Sequence, residues 1–315
     1  MTVGSAVAAG SMAVARRLRA GRAGGVIVTQ HVASALQTRA QVNALRRWFD
    51  FIHHDELLDR LERPGRRPFC LLTFDDGKRS IATQTAPELE RLGVPAVFYV
   101  TTGFLTDGSP LWFDRREAII KSLGHVPPGL EIDDLKRLSL EVIHDRLDRA
   151  CAGHRLVLDL TSDDVLPMSW DDARALARRG FTIAAHGVHH CVLTRETETR
   201  AFCEIRQSIE DVTSRIGVPC ASFAFPNGNY TPRLARHALE CGVRTVMTTE
   251  PAWADGRYPC WRLPRVELFG RDTTLKVALK LSAAATGRLL ANPDGTGRRY
   301  WRTDRFGRHD ATSLP

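Results

Sequence analysis

Four times in this chain a helix-compatible stretch stops at a glycine and a short apolar run follows almost at once. TAPELERLG (85–93) leads into VPAVFYVTT (94–102), WDDARALARRG (170–180) into FTIAAH (181–186), DVTSRIG (211–217) into CASFAF (220–225), and RLARHALECG (233–242) into VRTVMTT (243–249). A glycine just past a helix accepts the left-handed conformation that ends it. The apolar runs are too short for buried helices and rich enough in β-branched and aromatic residues to be strands. Two more strands are read earlier in the chain, GVIVTQH (25–31) and FCLLTF (69–74), with a helix predicted over 39–52, where Val42, Leu45, Trp48, Phe49 and Ile52 recur at helical spacing. Strands separated by helices can pair in parallel only through crossovers. The expected fold class is therefore α/β, a parallel sheet closed, or nearly closed, into a barrel.

The rhythm breaks over about 107–168, where DDLKRLSLEVIHDRLDRACAG reads as helix. We expect a helical insertion there, lying over the barrel as a lid between two of its strands. With 315 residues against the roughly 250 of an α/β barrel, the chain accommodates one domain with appendages. The expected division is an N-terminal basic extension (1–23), a barrel with its insertion (24–270), and a C-terminal helix and basic tail (271–315), the helix being TLKVALKLSAAATGRLL.

Charge narrows the partners. The net charge of +8 comes largely from scattered arginines, enriched in RRLRAGR (16–22) and between Arg298 and Arg308. Such ends suit phosphate groups or acidic lipid headgroups at a membrane surface. No recognisable nucleic-acid module accompanies them, which argues against a nucleic-acid partner. No stretch reads as a membrane span. The N-terminus lacks the basic region that precedes the apolar part of a secretory signal, so no signal peptide is expected. The seven cysteines are odd in number, without zinc-finger spacing and partly within apolar segments, as reduced thiols are. Cys191, directly after His190, reads as a packed thiol. A cytoplasmic location is expected.

The chemistry lies at strand ends. FCLLTF runs into Asp75 and Asp76, two adjacent carboxylates whose charges repel, and then Gly77, which lets the backbone turn tightly. FTIAAH ends on His186, and His190 follows four residues later, on the same side of a helical turn if the chain coils there. In parallel β/α barrels functional groups gather at the carboxyl ends of the strands. Two imidazoles and one carboxylate around an open position suit zinc or a similar divalent metal, and the remaining carboxylate can then take a proton from a water attacking a carbonyl. Taken singly, Asp-Asp-Gly reads as a turn and His-x-x-x-His is weak; their joint placement points to a metal site. His189 is expected to face away, and His53, His54, His144 and His154 lie on expected helices with surface or core roles.

These residues carry a family resemblance. TFDDG (73–77), GVPAVFYVTTGFL (93–105), AHGVHH (185–190) and FAFPNGNY (223–230) together resemble a polysaccharide deacetylase of the NodB-homology, carbohydrate-esterase type, over roughly residues 24–270. The resemblance implies a distorted (β/α) barrel with fewer than eight units and a metal-dependent amide hydrolase that removes acetyl groups from N-acetylated sugars. It implies Asp75 as general base; Asp76, His186 and His190 as ligands of a divalent ion, zinc first among them; and Pro226, Asn227 and Gly228 as a substrate-lining turn, with the Asn227 N–H toward the oxyanion.

The pattern departs from the family at three places. Gly187 stands where Ser or Thr usually follows the first histidine. Ala224 stands where many members carry an arginine paired with the base, a role that Arg265 in RLPRVELF could take from the next strand. No Leu-x-His motif follows the other motifs; instead VIVTQHV (26–32) resembles the opening strand of the family's permuted, exopolysaccharide-modifying branch, which makes His31 the expected general acid. Without an export signal, a cytosolic sugar conjugate is the expected substrate. Hydrolysis of another non-peptide C–N bond, a formamide or cyclic amide, and a glycan-binding barrel without activity remain the alternative readings.

Overall fold

The structure, a computed structural model, describes residues 23–63 and 65–286. In chain order its regular elements are β1 (Gly25–Gln30), α1 (Ala35–Arg46), β2 (Asp50–Phe51), α2 (Leu57–Glu62), β3 (Phe69–Phe74), α3 (Ala86–Arg91), β4 (Ala96–Val100) and α4 (Thr102–Asp107). There follow α5 (Trp112–Leu123), α6 (Ile132–Leu135), α7 (Leu140–His154), α8 (Trp170–Arg178), β5 (Thr182–Ala185) and α9 (Glu198–Ile216). The last are β6 (Ser222–Ala224), α10 (Pro232–Glu240), β7 (Thr245–Met247), β8 (Val266–Glu267) and α11 (Thr274–Thr286).

The strands form one sheet in the order β7-β6-β5-β4-β3-β1-β8, with β2 paired to the start of β3. Every paired neighbour is parallel, as the crossover helices require. The two ends of the sheet approach each other through a parallel bridge between Met247 and Leu263, three residues before β8. The result is a distorted α/β barrel with fewer than eight units.

Alternation along the strands sorts their side chains. Ile27, Leu71, Val97, Tyr99, Ala184, Ala224, Met247 and Leu263 pack together in the barrel interior. Their neighbours in sequence, among them Val28, Leu72, Phe98, Ala185, Phe223 and Val246, face outward and pack with Leu45, Leu89, Leu176, Ile205 and Leu234 of the helices. Both faces are apolar because helices cover the outside, so the strands read as nearly continuous hydrophobic runs.

Two expectations change. The helix expected over 39–52 ends at Arg46, and residues 50–52 are extended. The reason is the open edge at the start of β3: the Asp50 N–H donates to the Pro68 carbonyl at 2.9 Å and the Ile52 N–H to the Cys70 carbonyl at 3.2 Å. Trp48, Phe49 and Ile52 are buried all the same. The stretch read as one helix in the insertion, 133–153, is two, α6 and α7, and α5 precedes them; Trp112, Ile119, Leu135, Ile143 and Leu147 of these helices join the outer core. Among the described residues no helix is long and apolar enough to cross a membrane. The basic stretches 16–22 and 298–308 lie outside the described residues.

Candidate active site

The inward rows of the strands end in polar residues, all but Glu267 singled out above. Ile27 and Thr29 lead to His31; Phe69, Leu71 and Thr73 to Asp75; Thr182 and Ala184 to His186; Leu263 to Arg265 and then Glu267. Period-two alternation therefore delivers an acid, a guanidinium and two imidazoles to one mouth of the barrel. Asp76 breaks the alternation. Its φ is +77° and that of Gly77 is +86°, a left-handed pair that costs a non-glycine residue on the order of 1 kcal/mol; Asp75 Oδ2 and Asp76 Oδ1 both come close to His186 Nε2, at 3.9 and 3.8 Å. The turn is pinned on both sides, since the Asp75 N–H donates to the Gln30 carbonyl at 2.8 Å and the Asp76 carbonyl accepts from the Thr101 N–H at 3.1 Å.

Asp76, His186 and His190, all buried, place one ligand atom each within 4.8 Å of one another. The nearest Asp76 oxygen, Oδ1, lies 3.3 Å from His190 Nε2 and 3.8 Å from His186 Nε2. Among the described residues, both Asp76 oxygens and His186 Nε2 lack any hydrogen-bond partner. Buried carboxylate and imidazole atoms left this way are costly unless something else occupies the space between them. The donor set, two nitrogens and one oxygen, fits a divalent cation such as zinc. The tautomer of His186 is settled by its neighbour: Nδ1 lies 2.8 Å from the Ala224 carbonyl, which can only accept, so Nδ1 carries the proton and Nε2 presents a lone pair. Burial, with Arg265 and His190 adding to it against the pull of Asp75 and Asp76, lowers the His186 pKa to about 4, leaving a neutral ligand at neutral pH.

The loop from His186 to His190 is not the helical turn expected. It is irregular, with Gly187 at φ +77° and His190 at φ +54°, and these two left-handed residues bring the imidazoles together at a ring separation of 4.9 Å. Gly187 adopts this φ without the strain that Ser or Thr would carry there. The loop is organised by Glu204 of α9. Its Oε2 accepts from the N–H groups of Val188 and His189, both at 2.9 Å, and its Oε1 lies 2.6 Å from His189 Nδ1. His189 accordingly turns away from the ligands. Cys191 is a buried thiol whose pKa burial raises.

Asp75 is held by Arg265. Nη1 and Nη2 donate to its two oxygens at 2.7 and 2.8 Å, while Nε donates to the Thr248 carbonyl at 2.9 Å. Arg265 is 0% exposed and its guanidinium stands 5.4 Å from the Tyr99 ring centroid. Burial opposes the charge on Asp75, but Arg265 and then His186 outweigh it, and the carboxyl titrates below its ordinary range. Asp76 is likewise held well below that range: burial works against its charge, and His31, His190 and Lys78 overcome it.

His31 stands at the rim, 39% exposed, with Nδ1 3.9 Å from Glu267 Oε1. Pro226, Asn227 and Gly228 form a single turn after β6, in which Pro226 and Gly228 are buried and Asn227 adopts φ +57°. Eight of the nine residues singled out from the sequence lie at the carboxyl ends of strands or on the loops that leave them; the ninth, Arg265, directly precedes β8 and reaches Asp75 from within the barrel.

Four residues were not foreseen: Glu204, Glu267, and the buried pair Lys78 and Asp114, whose Nζ and Oδ1 are 2.7 Å apart. Glu204 left a readable trace, since it sits in the apolar stripe of α9 beside Ala201, Ile205 and Ser208. The pair of Lys78 with a residue of α5 had none, because it depends on how the insertion docks.

Comparison with known proteins bears on this arrangement. The sequence profile described as "Polysaccharide deacetylase" matches residues 62–246, more than half of the chain. Among curated proteins none matches. Solved structures share the fold: the Streptococcus pyogenes deacetylase PplD, in complex with acetate, aligns over 82% of this chain and 99% of its own at 14% identity and a TM-score of 0.59. IcaB from Ammonifex degensii aligns over 83% and 98% at 17% identity and a TM-score of 0.54. The BpsB deacetylase domain from Bordetella bronchiseptica aligns over 78% and 96% at 18% identity and a TM-score of 0.52. The profile match spans both the paired aspartates and the His-x-x-x-His loop whose geometry is given above, and on that match the chain belongs to the polysaccharide deacetylase family.

Proposed function

We propose that the chain is a metal-dependent N-deacetylase that hydrolyses the acetamide of an N-acetylated sugar. The observation that carries this reading is the convergence of Asp76, His186 and His190, with the Asp76 oxygens and His186 Nε2 buried and unpartnered among the described residues, next to a second carboxylate held ionised by Arg265. Asp76, His186 and His190 would hold the cation, with zinc the best match to their chemistry. The bound ion would supply Lewis-acid polarisation of the acyl carbonyl and a more acidic water.

The chain's own residues supply the proton transfers and the positioning. Asp75 accepts the proton of the attacking water, and Arg265 fixes both oxygens so that one lone pair stays aimed at the mouth. The Asn227 N–H faces the developing oxyanion. His31 protonates the departing nitrogen, oriented by Glu267 on the adjacent strand. One C–N bond breaks, one C–O bond forms, and acetate and a free amino sugar leave. The seven cysteines are all unpaired with one another, as thiols in a reducing compartment are.

The test is metal analysis of the purified protein together with acetate release from a panel of N-acetylated saccharides, with formamides and cyclic amides as parallel substrates. Metal at one equivalent and acetate release that stops on chelation and returns with zinc is the expected result. Turnover confined to a formamide or cyclic amide would replace the acetyl-sugar reading. Glycan binding with no turnover of any member in the metal-loaded protein would leave a binding barrel.

A further inference from the structure

The two candidate histidines are oriented by different means. The His186 ring is fixed by its Nδ1 hydrogen bond to the Ala224 carbonyl, the usual arrangement for an imidazole that ligates through its other nitrogen. Among the described residues, His190 Nδ1 has no hydrogen-bond partner, although the residue is only 3% exposed. Its Nε2 faces Asp76 Oδ1 at 3.3 Å, so on the Nδ1 side of the ring packing takes the place of a hydrogen bond.

That packing comes from the first turn of α5, in the helical insertion. The Phe113 ring meets the His190 ring edge-on, at a centroid separation of 4.9 Å and an interplanar angle of 67°. Its neighbour Trp112 donates from Nε1 to the His190 carbonyl at 3.2 Å, holding the backbone of a residue in the left-handed region. The next residue, Asp114, pairs with Lys78 at 2.7 Å, and Lys78 directly follows the Asp75-Asp76-Gly77 turn and stands 5.1 Å from the Phe113 ring centroid. The far end of the insertion grips the same turn: the Met168 N–H donates to the Gly77 carbonyl at 2.9 Å and Lys78 bridges to Pro167. Both ligand-bearing loops are thus tied to one inserted segment.

Ordinary packing does not account for this choice of residues. A buried Lys–Asp pair is seldom worth more to stability than apolar residues of the same volume. It does fix a register between two segments, and here those segments are the Asp76 turn and the helix whose aromatic residues hold His190.

We infer that Phe113 and Trp112 are positioning residues for the metal ligand His190, with Phe113 doing by packing what the Ala224 carbonyl does for His186. The inference rests on the metal-centre reading above. Loss of the ring frees His190 to rotate, so the site binds its ion less tightly even though every ligand remains.

The experiment measures zinc affinity by competition with a chromophoric chelator, and the visible spectrum after loading with cobalt(II), in wild type, Phe113→Leu, Phe113→Tyr, Trp112→Phe and the control Val142→Ala on exposed α7 surface. Phe113 is only partly buried, so its variants should keep the melting temperature of the metal-free protein. Expected are a loss of affinity of about tenfold or more in Phe113→Leu, as for partners that orient ligating histidines, a smaller loss in Trp112→Phe, an altered cobalt spectrum in both, and near wild-type values in Phe113→Tyr and Val142→Ala. Wild-type affinity and spectrum in folded Phe113→Leu and Trp112→Phe would overturn the inference while leaving the metal centre intact. A wild-type protein that binds neither ion would remove both.

Discussion

Arg265→Ala is the most informative single change. The guanidinium it removes is fully buried and makes two charge-assisted bonds to Asp75 and one to the Thr248 carbonyl. Bonds of this kind are worth about 1.5–3 kcal/mol each, and breaking a buried ion pair from one side costs about 3–5 kcal/mol because the other charge is stranded. Thermal unfolding of the metal-free protein should therefore shift down by something on the order of 10 °C. The loss should shrink as the pH falls: with Arg265 gone Asp75 no longer has its pKa depressed, and protonation relieves the stranded charge. In the wild type the depressed Asp75 contributes stability above the ordinary carboxylate range, lost as pH falls through its lower folded value. The acid limb of the pH–rate profile should move to higher pH in Arg265→Ala, with kcat lowered and metal content retained. The double variant Arg265→Met with Asp75→Asn removes both charges and should recover part of the stability with no activity. An Arg265→Ala protein with wild-type melting, turnover and pH profile would refute the pairing as the support of the base.

Three further outcomes are expected. Asp76→Asn should lose bound metal, whereas Asp75→Asn should keep it and lose most of kcat, a contrast that elemental analysis and acetate release read directly. His31→Gln should retain metal and lower kcat more than KM, and full activity in that variant would remove His31 from the reaction. His54, buried against Thr245 Oγ1 at 2.8 Å, has its pKa lowered from 6.5 to about 4, first by burial and then by Arg244. The unfolded chain takes up that proton first, so stability present above pH 6.5 should decline toward pH 4, by about 3 kcal/mol for this one group; denaturant titrations of His54→Gln should show a shallower decline than wild type over that window.

Much of the site was legible because period-two alternation and the strand-end rule are local. FCLLTF followed by Asp-Asp-Gly marks a strand that ends on two carboxylates, and FTIAAH one that ends on His186; which carboxylate continues the inward row is seen only in the structure. The mouth of a barrel then assembles such residues however far apart they lie in the chain. The same reasoning failed for the His186–His190 loop, where helical spacing suggested a turn of helix. Two left-handed residues and the Glu204 carboxylate on α9 close the loop instead, and no local pattern encodes a partner that far along the chain. The helix expected through 50–52 failed for a related reason, since an open strand edge recruits backbone without regard to side-chain periodicity.

By itself the amino-acid order determined the parallel β/α succession, the placing of His31, Asp75 and His186 at strand ends, and the tight turn that Gly77 permits. Each of these is a property of a few adjacent residues. Only the tertiary structure decided that Arg265 clasps Asp75 across 190 positions, that Leu263 brings the sheet's ends together, and that an inserted helix presses Phe113 against His190. Those are contacts between distant segments, set by how the barrel curves and how its insertion docks, and short-range pattern carries no record of either.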